Sequence, residues 1–213
     1  VDDIDGMITS LAGVSGLTAV PGEEAVFSVS VMNPGNSPSV YNISCETPNR
    51  WTVALGDDGN SSSITLEPLA RLQYLSVAVR VLVPSMSEGE PAAGVVEDIT
   101  CITSHATNSA LSETDSTTIT VAVLEEFGTD LYSSTGVPVG AAGNALDEAV
   151  NNGQDLNLTL TVSNLGNVPI NLDVKVTPSN PNWPLGLFCG GEEDDNTLSF
   201  SIERGESTDC RIQ

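Results

Sequence analysis

The sequence predicts an all-β chain: two tandem Ig-like β-sandwich domains, the second apparently incomplete. Three observations carry this expectation. Segments of apolar–polar alternation follow one another, separated by turn residues. No stretch of residues 16–124 has a helical period with caps. A set of landmarks in residues 22–67 recurs in the same order in residues 153–203.

The elements run as follows. Residues 1–15, VDDIDGMITSLAGVS, are acidic and small and show no clear period, so they are expected to be irregular or exchanged. EEAVFSVSVMN (23–33) alternates, with Phe27, Val29 and Val31 on one face and Val26, Ser28 and Ser30 on the other. SVYNISC (39–45) and WTVALG (51–56) are further strands, and the second ends in the acidic loop DDGNSS. SITLEP (63–68) leads to a turn. RLQYLSVAVRVLVP (71–84) aligns Leu75, Val77, Val79, Val81 and Val83 on one face and stops at Pro84. VVEDITCITS (95–104) and STTITVAVL (116–124) complete a β-branched set of sandwich type. The Gly/Ser/Ala-rich residues 125–150 break the pattern and are expected to hold a junction and the first strand of a second unit; NALDEAV reads equally as one helical turn, strand or coil. The expected division is a first domain over 1–124, a linker over 125–136 and a second domain over 137–213 that lacks its last strands.

The repeat keeps four landmarks in the same order. Gly22-Glu-Glu corresponds to Gly153-Gln-Asp, Asn33-Pro-Gly-Asn36 to Asn164-Leu-Gly-Asn167, and Trp51 to Trp183. Leu66-Glu67 corresponds to Ile202-Glu203, and the acidic loop GGEEDDN (190–196) accounts for the shift in offset. Asn and Gly tolerate positive φ, and an Asn side chain can bond its own backbone. Asn-x-Gly-Asn is therefore expected to be a tight turn that sets strand register, with no chemistry of its own. Each tryptophan is expected to cap a core that has few other aromatics; a sugar-stacking platform is the functional alternative.

Composition bounds the function. Six basic residues against 29 acidic ones give a net charge of −23, and Lys175 is the sole lysine. Such a surface repels nucleic acid and anionic lipid. It suits a saline exterior and points to a marine or archaeal source. No apolar run is long enough to span a membrane. The chain starts at Val1 without an apolar leader, as expected of a processed form or a piece of something longer. Cys45, Cys101, Cys189 and Cys210 are not at metal or redox spacing, and two fall in each half. One disulfide per half is preferred over four buried thiols, which implies an oxidising compartment. The sequons at Asn42, Asn60 and Asn157 are glycosylation candidates, with Asn60 in a loop.

A strand ending in Asn-x-Gly-Asn (Asn33–Asn36) leads through a further strand to Pro-x-x-Trp (Pro48–Trp51). A Leu-x-Pro turn (Leu66–Ala70) and a long Val-rich strand (Arg71–Pro84) follow. The second copy has Asn164–Asn167, Pro181–Trp183 and Ile202–Glu206. This order resembles the Ig-like modules associated with alpha-galactosidases and the CARDB-like, cell-adhesion-related modules of archaeal and bacterial surface proteins. The resemblance covers most of residues 16–124 and the front half of a second module. It implies a non-catalytic spacer, adhesion or accessory unit and carries over no catalytic residues. In an Ig-type sheet Cys45 and Cys101 fall on neighbouring strands. Cys189 and Cys210 would close a short segment around the acidic loop, worth about 3 kcal/mol in the chain-entropy model.

The second copy stops midway through its Val-rich strand. Three completions compete: the chain is a fragment of a longer repeat protein, another copy supplies the strands, or this is a smaller sandwich. The fragment is preferred, then exchange. Asp57, Asp58, Glu192, Glu193, Asp194 and Asp195 occupy the equivalent loop in both copies and are candidate calcium ligands. Solvated acidic loops are the preferred reading, and no other cofactor is called. His105 is the only histidine, and no nucleophile or phosphate-loop motif accompanies it, so no enzyme is expected. The expected function is a structural repeat of an exported cell-surface protein: a stalk, S-layer-like protein or extracellular filament. Its expected partners are other copies, neighbouring surface repeats or glycans. The rival is an accessory carbohydrate-binding or spacer module of a secreted glycosidase or protease.

Overall fold

A computed structural model describes residues 2–56, 59, 61–87, 90–132, 153–178, 180, 182–194 and 196–213. The expectations for Asp57, Asp58, Asn60, Pro181, Asp195 and the NALDEAV segment lie outside these residues. The described residues form strands and loops only, in two compact units. The first comprises residues 1–85 and 93–122, the second residues 86–92 and 123–213.

The first unit has nine strands. They are β1 (Ile8–Ala12), β2 (Thr18–Ala19), β3 (Glu24–Met32), β4 (Tyr41–Glu46), β5 (Thr52–Leu55), β6 (Ser63–Thr65), β7 (Tyr74–Leu82), β8 (Val96–His105) and β9 (Ser112–Val121). One sheet has the order β1-β3-β7-β5 and the other β2-β9-β8-β4-β6; only the β2–β9 pair is parallel. The alternation in the sequence decides which side faces in. Phe27, Val29 and Val31 of β3 and Val77, Val79 and Val81 of β7 are buried, while Val26 and Tyr74 on the opposite face are exposed. The facing sheet buries Tyr41 and Ile43 of β4, Ile99 of β8 and Ile119 of β9 against them. Burial of a Val- or Ile-sized side chain contributes roughly 1.5–3 kcal/mol, so these aliphatic rows supply most of the driving force.

The N-terminal segment is strand in part: residues 2–7 carry no regular structure, and residues 8–12 form β1. β1 pairs with β3 over five residues, and Thr9 Oγ1 donates to Glu113 and Asp115 of β9 in the same unit. Its own pattern is weak because an edge strand takes its register from its partner.

The second unit repeats the plan with fewer strands: β10 (Phe127–Tyr132), β11 (Leu158–Asn164), β12 (Ile170–Lys175), β13 (Leu187–Cys189), β14 (Glu192–Asp194), β15 (Thr197–Ile202) and β16 (Ser207–Ile212). Its sheets are β10-β11-β16-β13-β14 and β12-β15. β10, β11, β16 and β13 thus stand where β1, β3, β7 and β5 stand, and β12 and β15 where β4 and β6 stand. Strands corresponding to β8 and β9 are not among the described residues. The expected linker over 125–136 is corrected: residues 127–132 are strand β10, paired with β11 in six positions. The second unit begins at 123 rather than 137 and also takes in residues 86–92.

Each unit carries one disulfide, between directly opposed residues of neighbouring antiparallel strands. Cys45 of β4 joins Cys101 of β8 with a Cα separation of 4.1 Å, and Cys189 of β13 joins Cys210 of β16 at 4.2 Å. These short separations fit non-hydrogen-bonded positions of the ladder. The staples lie in different layers of the two sandwiches.

Candidate functional site

The Asn-x-Gly-Asn turn does more than set register. In the first unit the buried Asn33 Oδ1 accepts the Gly35 N–H (2.8 Å), and its Nδ2 donates to the carbonyls of Ser37 and Leu69 (both 2.8 Å). Asn36 grips a different segment. Its Oδ1 accepts the Ile4 N–H (2.7 Å), its Nδ2 donates to the Asp2 carbonyl (2.9 Å), and its own N–H donates to the Ile4 carbonyl (3.1 Å). Gly35 has no left-handed φ, so its role is clearance: a Cβ there would run into the Ile4 carbonyl oxygen.

The second unit repeats the main contacts. Asn164 Oδ1 accepts the Gly166 N–H (2.9 Å), and its Nδ2 donates to the carbonyls of Val168 (2.8 Å) and Ile202 (3.1 Å). Asn167 Oδ1 accepts the Leu124 N–H (2.8 Å), and its N–H donates to the Leu124 carbonyl (3.0 Å). A Cβ on Gly166 would strike the Leu124 carbonyl oxygen. The gripped segment immediately follows Ala122, the last residue of the first unit. The second Asn of each motif is therefore a clamp on the chain that enters the sandwich. Sequence reasoning missed this function because the clamp's partner is backbone, which has no sequence signature.

Two buried polar residues lie at opposite ends of β8, and the second supports the clamped segment. Glu97 accepts from the N–H (2.9 Å) and Nδ2 (2.5 Å) of Asn49, fixing the loop that carries Trp51. His105 Nδ1 accepts the N–H groups of Thr107 (3.3 Å) and Asn108 (3.1 Å), which leaves the proton on Nε2, 3.6 Å from Asp5 Oδ1 on the clamped segment. Tyr41 packs edge-on against the His105 ring and donates to the Gly6 carbonyl (2.6 Å). Burial, together with the Asp5 charge, raises the Tyr41 pKa, against a smaller lowering by Ser39.

The two tryptophans separate. Trp51 is 9 % exposed and caps the core; Trp183 is 62 % exposed, correcting the expectation of a second cap. In the first unit Glu97 of β8 holds the tryptophan loop down through Asn49; no counterpart of that contact is among the described residues of the second. The same difference shows in the core. Tyr41, Ile43 and Cys45 on the inner face of β4 are buried, whereas Leu172, Val174 and Val176 on the inner face of β12 are half-buried. β4 lies between β6 and β8; β12 pairs with β15 alone among the described strands.

The other expected sites are placed as follows. Asn42 lies mid-strand in β4, and its Oδ1 accepts from Thr65 Oγ1 (2.7 Å); Asn157 is exposed just before β11. Glu192, Glu193 and Asp194 form the exposed edge strand β14, on which successive side chains point to opposite faces. Asp194 Oδ1 accepts the Asn196 N–H (3.1 Å). Among the described residues no three acidic, His or Cys side chains converge as a metal site.

Fold and site together define a tandem β-sandwich chain, stapled by disulfides as in proteins of oxidising, extracytoplasmic compartments. No protein-family model matches the sequence, and no curated protein sequence is significantly similar to it. Among solved structures, the chain is similar to the secreted serine protease VesC from Vibrio cholerae (13 % identity, TM-score 0.35), over 96 % of this chain and 45 % of that one. It thus spans less than half the length of that protease. It is also similar to a structure described as a chaperone–tip adhesin complex of CFA/I fimbriae biogenesis (9 % identity, TM-score 0.33), over 94 % of this chain and 87 % of that one. No helix among the described residues is long and apolar enough to cross a membrane.

Proposed function

We propose that the chain is a non-catalytic structural repeat of an exported cell-surface assembly: a stalk, S-layer-like protein or extracellular filament. The observation that carries this reading is the duplicated clamp. Each sandwich holds its own entering chain with the same three residues, and in the second unit the entering chain is the connector from the first. Such a device serves serial attachment of modules, whatever the chemistry of their surfaces. The disulfides resist unravelling, and the acidic surface keeps the modules soluble and mutually repelling in a saline exterior. The resemblance to CARDB-like and alpha-galactosidase-associated modules supports the same class.

Antibody labelling of intact and lysed source cells, with electron microscopy of shed surface material, tests the proposal. Label on layers or fibres of intact cells is expected. Label confined to the cell interior would contradict it.

One observation favours the accessory-module reading, in which the chain binds carbohydrate for a secreted hydrolase: the exposed indole of Trp183. Glycan binding that disappears in Trp183→Ala would establish that reading, and an empty glycan array would remove it.

A further inference from the structure

We infer that His105 is a proton-driven switch: neutral, it holds the turn between β8 and β9; charged, it releases that turn and takes hold of the entering chain at Asp5. The inference goes beyond the module reading to a response to acidity, and it uses contacts within the first unit alone. It starts from a buried donor with nothing to donate to. The His105 side chain is 5 % exposed. Its Nδ1 faces two donors, the Thr107 N–H (3.3 Å) and the Asn108 N–H (3.1 Å), so the neutral ring carries its proton on Nε2. Nε2 is buried, and no described acceptor lies within hydrogen-bond distance of it. Asp5 Oδ1 is 3.6 Å away, beyond that range. Buried polar groups in folded proteins are nearly all satisfied, so an orphan calls for a physical explanation. A second state that satisfies it is one.

Protonation changes both ends of the ring at once. The added proton goes to Nδ1, and both nitrogens are then donors. A donor at Nδ1 cannot face the N–H groups of Thr107 and Asn108, so both bonds are lost. Thr107 Oγ1, 3.4 Å from Nδ1, is the acceptor at hand for the new proton. At the other end, the charged Nε2–H faces the Asp5 carboxylate, and a charge-assisted hydrogen bond is shorter and stronger than a neutral one. The gap of 3.6 Å therefore closes.

Asp5 is placed for the exchange. Its Oδ2 accepts from Asn108 Nδ2 (3.0 Å), and Asn108 is one of the two residues whose N–H the charged ring releases. Asn108 also organises the turn: its carbonyl accepts the Leu111 N–H (3.0 Å) and its Oδ1 the Ala110 N–H (3.3 Å). Residues 106–110 therefore open when Asn108 is let go, and Asp5 passes from the turn to the ring. The bond from His105 N–H to the Leu111 carbonyl (2.9 Å) involves no ring atom and keeps the β8–β9 ladder closed behind the turn. Two titratable groups face the ring from the elements packed on it. They are Asp5 of the entering segment and Tyr41 of β4. Tyr41 stays neutral in mild acid, since burial raises its pKa from an already alkaline value. The turn contributes the uncharged Thr107 and Asn108. Imidazole is the side chain whose charge changes in mild acid, so that is the signal the switch reads.

Proton–nitrogen NMR of the purified chain tests this, and the ring signals are unambiguous because His105 is the only histidine. The neutral ring is expected as the Nε2–H tautomer. On acidification from about pH 8 to about pH 5, amide protection of Thr107 and Asn108, corrected for intrinsic exchange, should fall roughly tenfold, the scale of one or two hydrogen bonds. Protection of Ile4 should not fall. His105→Asn puts a side-chain oxygen in the place of Nδ1 and does not titrate, so its turn should be equally protected at both pH values. In Asp5→Asn the same opening should need more acid. In the wild type alone, the ring and the Thr107 and Asn108 amides should titrate with one midpoint, a readout that survives if a variant fails to fold. An Nδ1–H tautomer at pH 8, unchanged protection of the turn in acid, an equal loss in His105→Asn, or separate midpoints for ring and turn would each overturn the inference. None of these results bears on surface labelling, so the switch can fail while the module reading stands.

Discussion

At the residue scale, a few side-chain amides hold the turns of both sandwiches. Asn33 and Asn164 each satisfy two buried carbonyls and one N–H with a single side chain. Asn33→Ala leaves the Gly35 N–H without its partner, while the Leu69 and Ser37 carbonyls keep their bonds from Ser39, and we expect a loss of about 2 kcal/mol in chemical denaturation of the first unit. Gly166→Ala acts differently, since its cost is a collision with the Leu124 carbonyl. We expect faster cleavage after Glu125 and Glu126 by a glutamate-specific protease, at rates unchanged elsewhere in the chain. Tyr41 sets an alkaline limit. Its neutral hydroxyl donates to Gly6, and its folded pKa is raised above the unfolded value of 10.0. The stability it contributes is therefore fully present below pH 10 and is lost as pH rises through the folded value. Melting curves should show an alkaline decline that is smaller in Tyr41→Phe.

At the element scale, the sequence showed its central strands and hid its edges. The alternation of Val29 and Val31, or of Val77, Val79 and Val81, is imposed by burial on one face and can be read directly. β1 and β10 could not be read this way. ITSLA and FGTDLY carry little alternation because their register comes from β3 and β11. The Asn-x-Gly-Asn motif was legible as a turn but not as a clamp. Its grip reaches 32 residues back in one copy and 43 in the other, to backbone atoms that any residue would provide. The exposure of Trp183 was not legible: both tryptophans occupy the same place in the order of landmarks, and only the packing separates them. Cys189–Cys210 staples a unit with a small buried core, so Cys189→Ala/Cys210→Ala should cost about 3 kcal/mol and unfold the second unit at lower temperature than the first.

At the scale of the whole molecule, charge and architecture meet. A chain of net charge −23 repels itself in the folded state, and counter-ions screen that repulsion. The melting temperature should accordingly rise with sodium chloride between dilute buffer and seawater strength. The central claim is that one sandwich plan occurs twice, each copy clamping its own entering chain with the second Asn of Asn-x-Gly-Asn. Residue-resolved amide hydrogen exchange tests this most directly. The account predicts strong protection of the Ile4 and Asn36 amides in the first unit and of the Leu124 and Asn167 amides in the second. Exchange of the Leu124 and Asn167 amides as fast as in an unfolded chain would contradict it.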